Sequence, residues 1–127
     1  MASTTDNPAV AGYFAALSAI DRDAYLACFA PDGVAFDPYG GRPFQGHAGL
    51  NKFMDGLERT WASFQMTPGD AFAAGDRVAV AWRCTATAKS GKTADFAGIN
   101  VFTLNAAGLI AQLEAYWDFK AMLAQIS

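Results

Sequence analysis

After Trp61 the hydrophobic period of this chain changes. Upstream, apolar residues recur every three or four positions: Val10, Tyr13, Phe14, Leu17 and Ile20 in one stretch, and Leu50, Phe53, Met54 and Leu57 in another. Downstream they alternate through long runs, "ASFQMTPGDAFA", "RVAVAWRCTATA", "ADFAGINVFTL" and "LIAQLEAYWDF". The first spacing makes one face of a helix, the second one face of a strand. Helices followed by a meander of strands is an α+β order. The turns "KSGK" and "NAAG" join the later strands as hairpins, and 127 residues make one domain, 1–127.

Local signals place the elements. In "DNPAVAGYFAALSAID", Asn7 caps a helix whose first turn holds Pro8. A second helix, "RDAYLACFA", stops at the turn Pro31-Asp32-Gly33, and "VAFD" is a short strand that delivers Asp37 to the turn "PYGGRP". Gly46 opens a third helix that runs to Trp61, and "KAMLAQI" is a short C-terminal helix. Pro68-Gly69 interrupts its strand and reads as a bulge or bend. Long strands broken by Gly and Pro tend to curl. An antiparallel-rich sheet curled into a cone, with the N-terminal helices packed over its concave face, encloses a cavity suited to a ligand.

Composition narrows the partners. A hydrophobic content of 53% with 17% charged residues implies apolar burial beyond a core, in a cavity or a subunit interface, so a homodimer is expected. The net charge is −3 and the nine Lys and Arg are scattered, which speaks against nucleic acid. Cys28 and Cys84 stand in no ligand or redox spacing and read as buried free thiols. "MASTTDNPAV" lacks a basic stretch followed by an apolar run, and no window approaches the roughly twenty apolar residues of a membrane span. A cytoplasmic protein is expected, without a membrane partner. Gly40, Gly41, Gly46 and Gly49 serve turns and a helix start and form no phosphate cradle. No cofactor and no metal is expected.

Asp37 is the residue that raises a chemical question. An ionised carboxylate among Phe36, Pro38 and Tyr39 is either a turn residue bonding nearby backbone N–H groups or a charge held in a pocket for use. Tyr13 lies on the inward face of the first helix, where an aromatic core residue is also expected. Asn100, between Ile99 and Val101 in a central strand, is harder to read as packing, because a buried amide needs partners. Alternation puts Phe96, Gly98, Asn100, Phe102 and Leu104 on one face, with Phe96 and Phe102 flanking the amide. His47, the lone histidine, opens a helix and reads as a surface or capping residue. Asp118 is a second acid, but alternation through Leu113, Ala115 and Trp117 turns it to the opposite face.

From "AGYFAALSAIDRDAYLACFAPDGVAFDPYG" through "INVFTLNAAGLI" to "EAYWD", the chain resembles the ketosteroid-isomerase-like branch of the nuclear transport factor 2-like superfamily, which also holds SnoaL-like polyketide cyclases. The resemblance implies the cystatin-like cone fold. It also implies roles: Asp37 of "DPYG" as general base, Tyr13 of "YFAAL" as donor to a developing enolate, and Asn100 of "INVF" at the place of a second donor that is an Asp in the isomerases. Trp117 takes the place of an aromatic pocket wall, and Phe96, Phe102, Trp82 and Tyr39 are the further candidate ligand-binding residues. The function so implied is proton transfer next to the carbonyl of a small hydrophobic, oxygen-bearing ligand such as a polycyclic ketone. The alternatives are a polyketide cyclase or dehydratase, and a non-catalytic ligand-binding or dimerisation domain.

Overall fold

A computed structural model describes residues 7–127; the reading of residues 1–6 as free of a targeting signal lies outside them. Four helices and six strands follow the order α1 (Pro8–Ala19), α2 (Arg22–Ala27), β1 (Phe29–Phe36), β2 (Phe44–Gln45), α3 (Gly46–Thr60), β3 (Trp61–Ala74), β4 (Arg77–Ala88), β5 (Thr93–Leu104), β6 (Ile110–Tyr116) and α4 (Phe119–Ile126). The strands form one curved mixed sheet of six, ordered β2-β1-β6-β5-β4-β3. All neighbours are antiparallel except β1 and β6, which run parallel. The α+β expectation holds.

The cap on α1 is as expected: the side chain of Asn7 accepts a bond from the Val10 N–H at 2.9 Å, which satisfies one of the free donors of the first turn. Val10, Tyr13, Phe14 and Leu17 are buried, at roughly 1.5–3 kcal/mol for each large apolar side chain removed from water. Ser18 fastens the helix to β3, accepting from the Met66 N–H at 3.0 Å and donating to the Met66 carbonyl at 3.2 Å. On the other side of the sheet's inner face α3 rests on β1, and α4 lies against β5. There Gln125 accepts from the Asp95 N–H and donates to the Asp95 carbonyl, at 2.8 and 2.9 Å.

Two expectations about β1 need correction. The second helix ends at Ala27, three residues before the end of "RDAYLACFA", and Pro31-Asp32-Gly33 is not a turn between elements. Those residues form an irregular stretch inside β1, where the register against β6 shifts between Phe29 and Val34. A proline there leaves no ladder donor unsatisfied because the pairing is already broken. The register shift between Pro68 and Ala71 in β3 is the expected bulge.

Gly98 in β5 has a packing reason to be a glycine. A Cβ there would stand 2.7 Å from Cζ2 of Trp82 and 2.9 Å from Cβ of Trp117, and would also run into the Tyr116 carbonyl. Gly98→Ala is therefore expected to cost about 1–3 kcal/mol through overpacking and to displace both indoles. Chemical denaturation, with indole fluorescence as a second readout, checks this; unchanged stability and emission would count against it.

Candidate functional site

Asp37 follows the last residue of β1, and the next turn is tied to β6 by a bond from the Tyr39 N–H to the Ala115 carbonyl at 2.7 Å. The Asp37–Pro38 peptide bond is cis. The carboxylate is not spent on the turn. Its Oδ1 accepts from Nε1 of Trp117 at 2.7 Å, and the group lines a cavity of about 390 Å³. Asp37 is half-buried by surface area, yet its carboxyl is enclosed by protein, because the part left accessible opens onto that cavity. Burial pushes its pKa up from 3.8 to about 6, against the hydrogen bonds of Trp117 and Tyr13, which stabilise the charged form and pull it down.

Tyr13 also lines the cavity and is buried, its ring edge-on to Phe102 at 5.2 Å and to Phe14 at 5.1 Å. Burial, then the nearby Asp37 charge and Tyr25, hold its phenol well above the usual range, while the polar Asn100 amide acts the other way. The phenol therefore stays protonated, a donor poised beside a carboxyl group that ionises near neutrality.

Asn100 lies one layer deeper. It is fully buried and does not line the cavity, contrary to the expectation that Phe96 and Phe102 would flank it there. The indole of Trp82 stands in front of it, and Trp82 Nε1 donates to Asn100 Oδ1 at 2.8 Å. That bond fixes which way the amide points. It leaves Nδ2 as a buried donor without a protein hydrogen-bond partner, while the amide is near enough to Tyr13 to lower its pKa. The structure thus brings Asp37, Tyr13 and Asn100 together, with Asn100 reaching the cavity only through Tyr13.

Among the candidate ligand-binding residues, Phe96, Trp82 and Trp117 line the cavity as an aromatic cluster with ring centroids 5.3–6.5 Å apart. Phe102 does not. It is fully buried in the core against Tyr13 and Phe14, the usual fate of a central-strand aromatic covered by a helix. Tyr39 does not either: it is 53% exposed and packs outside, against Phe36 and Tyr116, because the turn carries it past the rim. Asp118 caps α4, accepting from the Ala121 N–H at 3.0 Å. His47 sits at the start of α3 with Nε2 3.3 Å from the Phe29 carbonyl, away from the cavity lining. Both cysteines are buried and free.

Sequence reasoning missed three contributors. Tyr25 packs against Tyr13 at 5.9 Å, and its buried hydroxyl has no protein partner. Phe53, read as core, stacks on Tyr25 and forms part of the cavity wall. The C-terminal helix α4 closes one side with Phe119, Met122, Leu123 and Ile126, a role its apolar spacing of three and four could have suggested. No helix among the described residues is long and apolar enough to cross a membrane, and no group of three or more His, Cys, Asp or Glu that could hold a metal ion occurs among them.

A curled sheet with helices closing a largely apolar cavity onto the Asp37 carboxyl is the architecture of the nuclear transport factor 2-like superfamily. The chain belongs to the SnoaL-like domain family, which matches residues 10–113. No curated protein matches its sequence. Among solved structures it is similar to a nuclear transport factor 2-like protein of unknown function from Burkholderia pseudomallei (24% identity, 98% of each chain covered, TM-score 0.82). It is similar also to the Delta 5-3-ketosteroid isomerase of a Mycobacterium species, at 26% identity over 91% of this chain and 94% of that one, TM-score 0.79. A third similar structure is SalBIII, an epoxide hydrolase/cyclase-like enzyme of pyran ring formation in polyether salinomycin, at 24% identity over 90% of this chain and 91% of that one, TM-score 0.78.

Proposed function

We propose that the protein is a cofactor-independent isomerase that moves a proton between carbons next to the carbonyl of a small, flat, hydrophobic ketone. The observation that carries this reading is the enclosed Asp37 carboxyl, raised to about 6 and held at 2.7 Å by Trp117 on the wall of a largely apolar cavity. A base with a pKa just below neutrality is ionised at pH 7 and still strong enough to take a carbon-bound proton. Tyr13 donates to the carbonyl oxygen as negative charge grows there, in a site where few waters compete. The Asn100 amide lowers the Tyr13 pKa and so favours negative charge at that oxygen, and Trp82 holds the amide through its Oδ1. The bond broken is C–H, the carboxylate carries the proton, and its return to a neighbouring carbon regenerates the base. The likeness to the mycobacterial isomerase supports the same chemistry.

Solvent-deuterium exchange into a candidate ketone, followed by mass spectrometry, tests the proposal. Exchange should show one acid limb centred at about pH 6, from Asp37, and no basic limb from position 100, because an amide does not titrate. Asn100→Asp should add that basic limb, since a buried carboxyl group would donate while neutral and stop donating once ionised. Ligand binding without exchange would instead favour a binding domain.

A further inference from the structure

The two faces of α3 that flank its apolar stripe carry opposite charge and meet opposite surroundings. On one side Asp55 and Glu58 turn toward α2, where Arg22 pairs with them at 2.7 and 2.8 Å. The same Arg22 bonds the side-chain oxygen and the carbonyl of Asn51 at 2.9 Å. The acids of α3 are thus drawn away from the cavity. On the other side Lys52, Gly56 and Arg59, one and two turns apart, all line it.

The guanidinium of Arg59 folds back over the helix: its Nη2 would be 3.9 Å from a Cβ added at Gly56. Neither Lys52 nor Arg59 has a carboxylate within ion-pair distance among the described residues. Among the described residues the only acid on the cavity wall is Asp37, which is held by Trp117. Lys52 also lines a second depression with Arg42, Pro43, Phe44 and Gly49, sharing Phe44 and Lys52 with the cavity. An aromatic, apolar interior with two uncommitted cations on one rim is complementary to an amphiphile.

We infer that the ligand of this cavity is a flat apolar compound bearing an anionic group besides its reacting carbonyl, and that Lys52 and Arg59, on the α3 side of the cavity, hold that group. The inference rests on the apolar cavity being the ligand site. A carboxylate, a sulfate and a phosphate ester share the required chemistry. Exposed ion pairs are individually weak, so the cations act mainly as a selector between charged and neutral forms of one skeleton and as an attractor during encounter.

The test compares 4-(2-naphthyl)butanoate with 4-(2-naphthyl)butan-1-ol, by calorimetry on the intact protein. The carboxylate should bind roughly fivefold tighter than the alcohol, and the preference should fade as ionic strength rises from about 0.01 to about 1 M. Lys52→Gln with Arg59→Gln should bring the ratio to one while the alcohol's affinity holds. Arg83→Gln, on the outward side of β4, should leave the ratio as it was. The 4-(2-naphthyl)butyl phosphate monoester, run beside them, separates the sources: a larger preference, lost in Arg42→Gln, assigns a phosphate that reaches the second depression. Equal affinity for carboxylate and alcohol, or a preference that survives the double substitution, overturns the inference alone. Failure of every naphthyl compound to bind overturns it together with the apolar-site reading.

Discussion

Asp37→Asn should lower turnover by about 10³-fold, within the span a positioned general base supplies, and at the same time make the protein more stable at pH 7. Both effects follow from one enclosed carboxyl group. An amide cannot take the proton, so the chemical step loses its base. The carbonyl oxygen of Asn still accepts from Trp117 Nε1, which bonds Asp37 Oδ1 at 2.7 Å in the native chain, so packing is kept. For stability, the folded pKa lies at about 6 against 3.8 unperturbed, which means that the folded state holds this proton more tightly than the unfolded chain does. The native carboxylate is therefore a penalty, absent below about pH 4, growing between pH 4 and 6, and complete above. Two pH units correspond to about 3 kcal/mol, and cavity water softens this to about 2. The variant should then melt roughly 6–10 °C higher at pH 7 and no higher than the native chain near pH 4. Steady-state kinetics and calorimetric melting at both pH values decide the matter. Retained turnover removes the base; a gain in Tm that does not depend on pH removes the assignment of the raised pKa to this residue.

Local signals carried far in this chain and nonlocal ones did not. The cap at Asn7, the stripe Val10, Tyr13, Phe14 and Leu17, and the break at Pro68-Gly69 each concern residues within a few positions of one another. Propensity and period describe those directly. The extent of β1 depends on a parallel partner, β6, about eighty residues later in the chain, so Pro31-Asp32-Gly33 looked like a stop when it is a strand irregularity. A two-residue strand such as β2 has no period to read. The convergence of Asp37, Tyr13 and Asn100 was legible only through resemblance, since three residues on a turn, a helix and a strand share no local pattern. That Asn100 sits behind Trp82 depends on a cross-strand hydrogen bond between β4 and β5. Tyr39 misled because standing two residues from Asp37 says nothing about direction once the chain turns.

Tyr13→Phe should reduce turnover by about 10²–10³-fold, the usual loss for an oxyanion donor, and this variant separates the catalytic reading from a packing role. The ring packs edge-on between Phe14 and Phe102 at 5.1 and 5.2 Å, contacts that a phenyl group keeps, so stability should change by no more than about 1.5 kcal/mol. The hydroxyl does two other things. In the free protein its hydrogen bond lowers the pKa of Asp37, and with a ketone bound the same proton turns to the carbonyl oxygen. Without it the acid limb of the exchange reaction should move to higher pH, because the carboxylate loses a donor that favoured its charged form. Binding of a phenol such as 2-naphthol, which resembles an enolised ketone, should weaken by about tenfold, as expected when a donor to a partly anionic oxygen is removed. A core tyrosine with no chemical part would leave the acid limb and the phenol affinity where they were, so an unmoved pH profile beside unchanged phenol binding would remove Tyr13 from the mechanism.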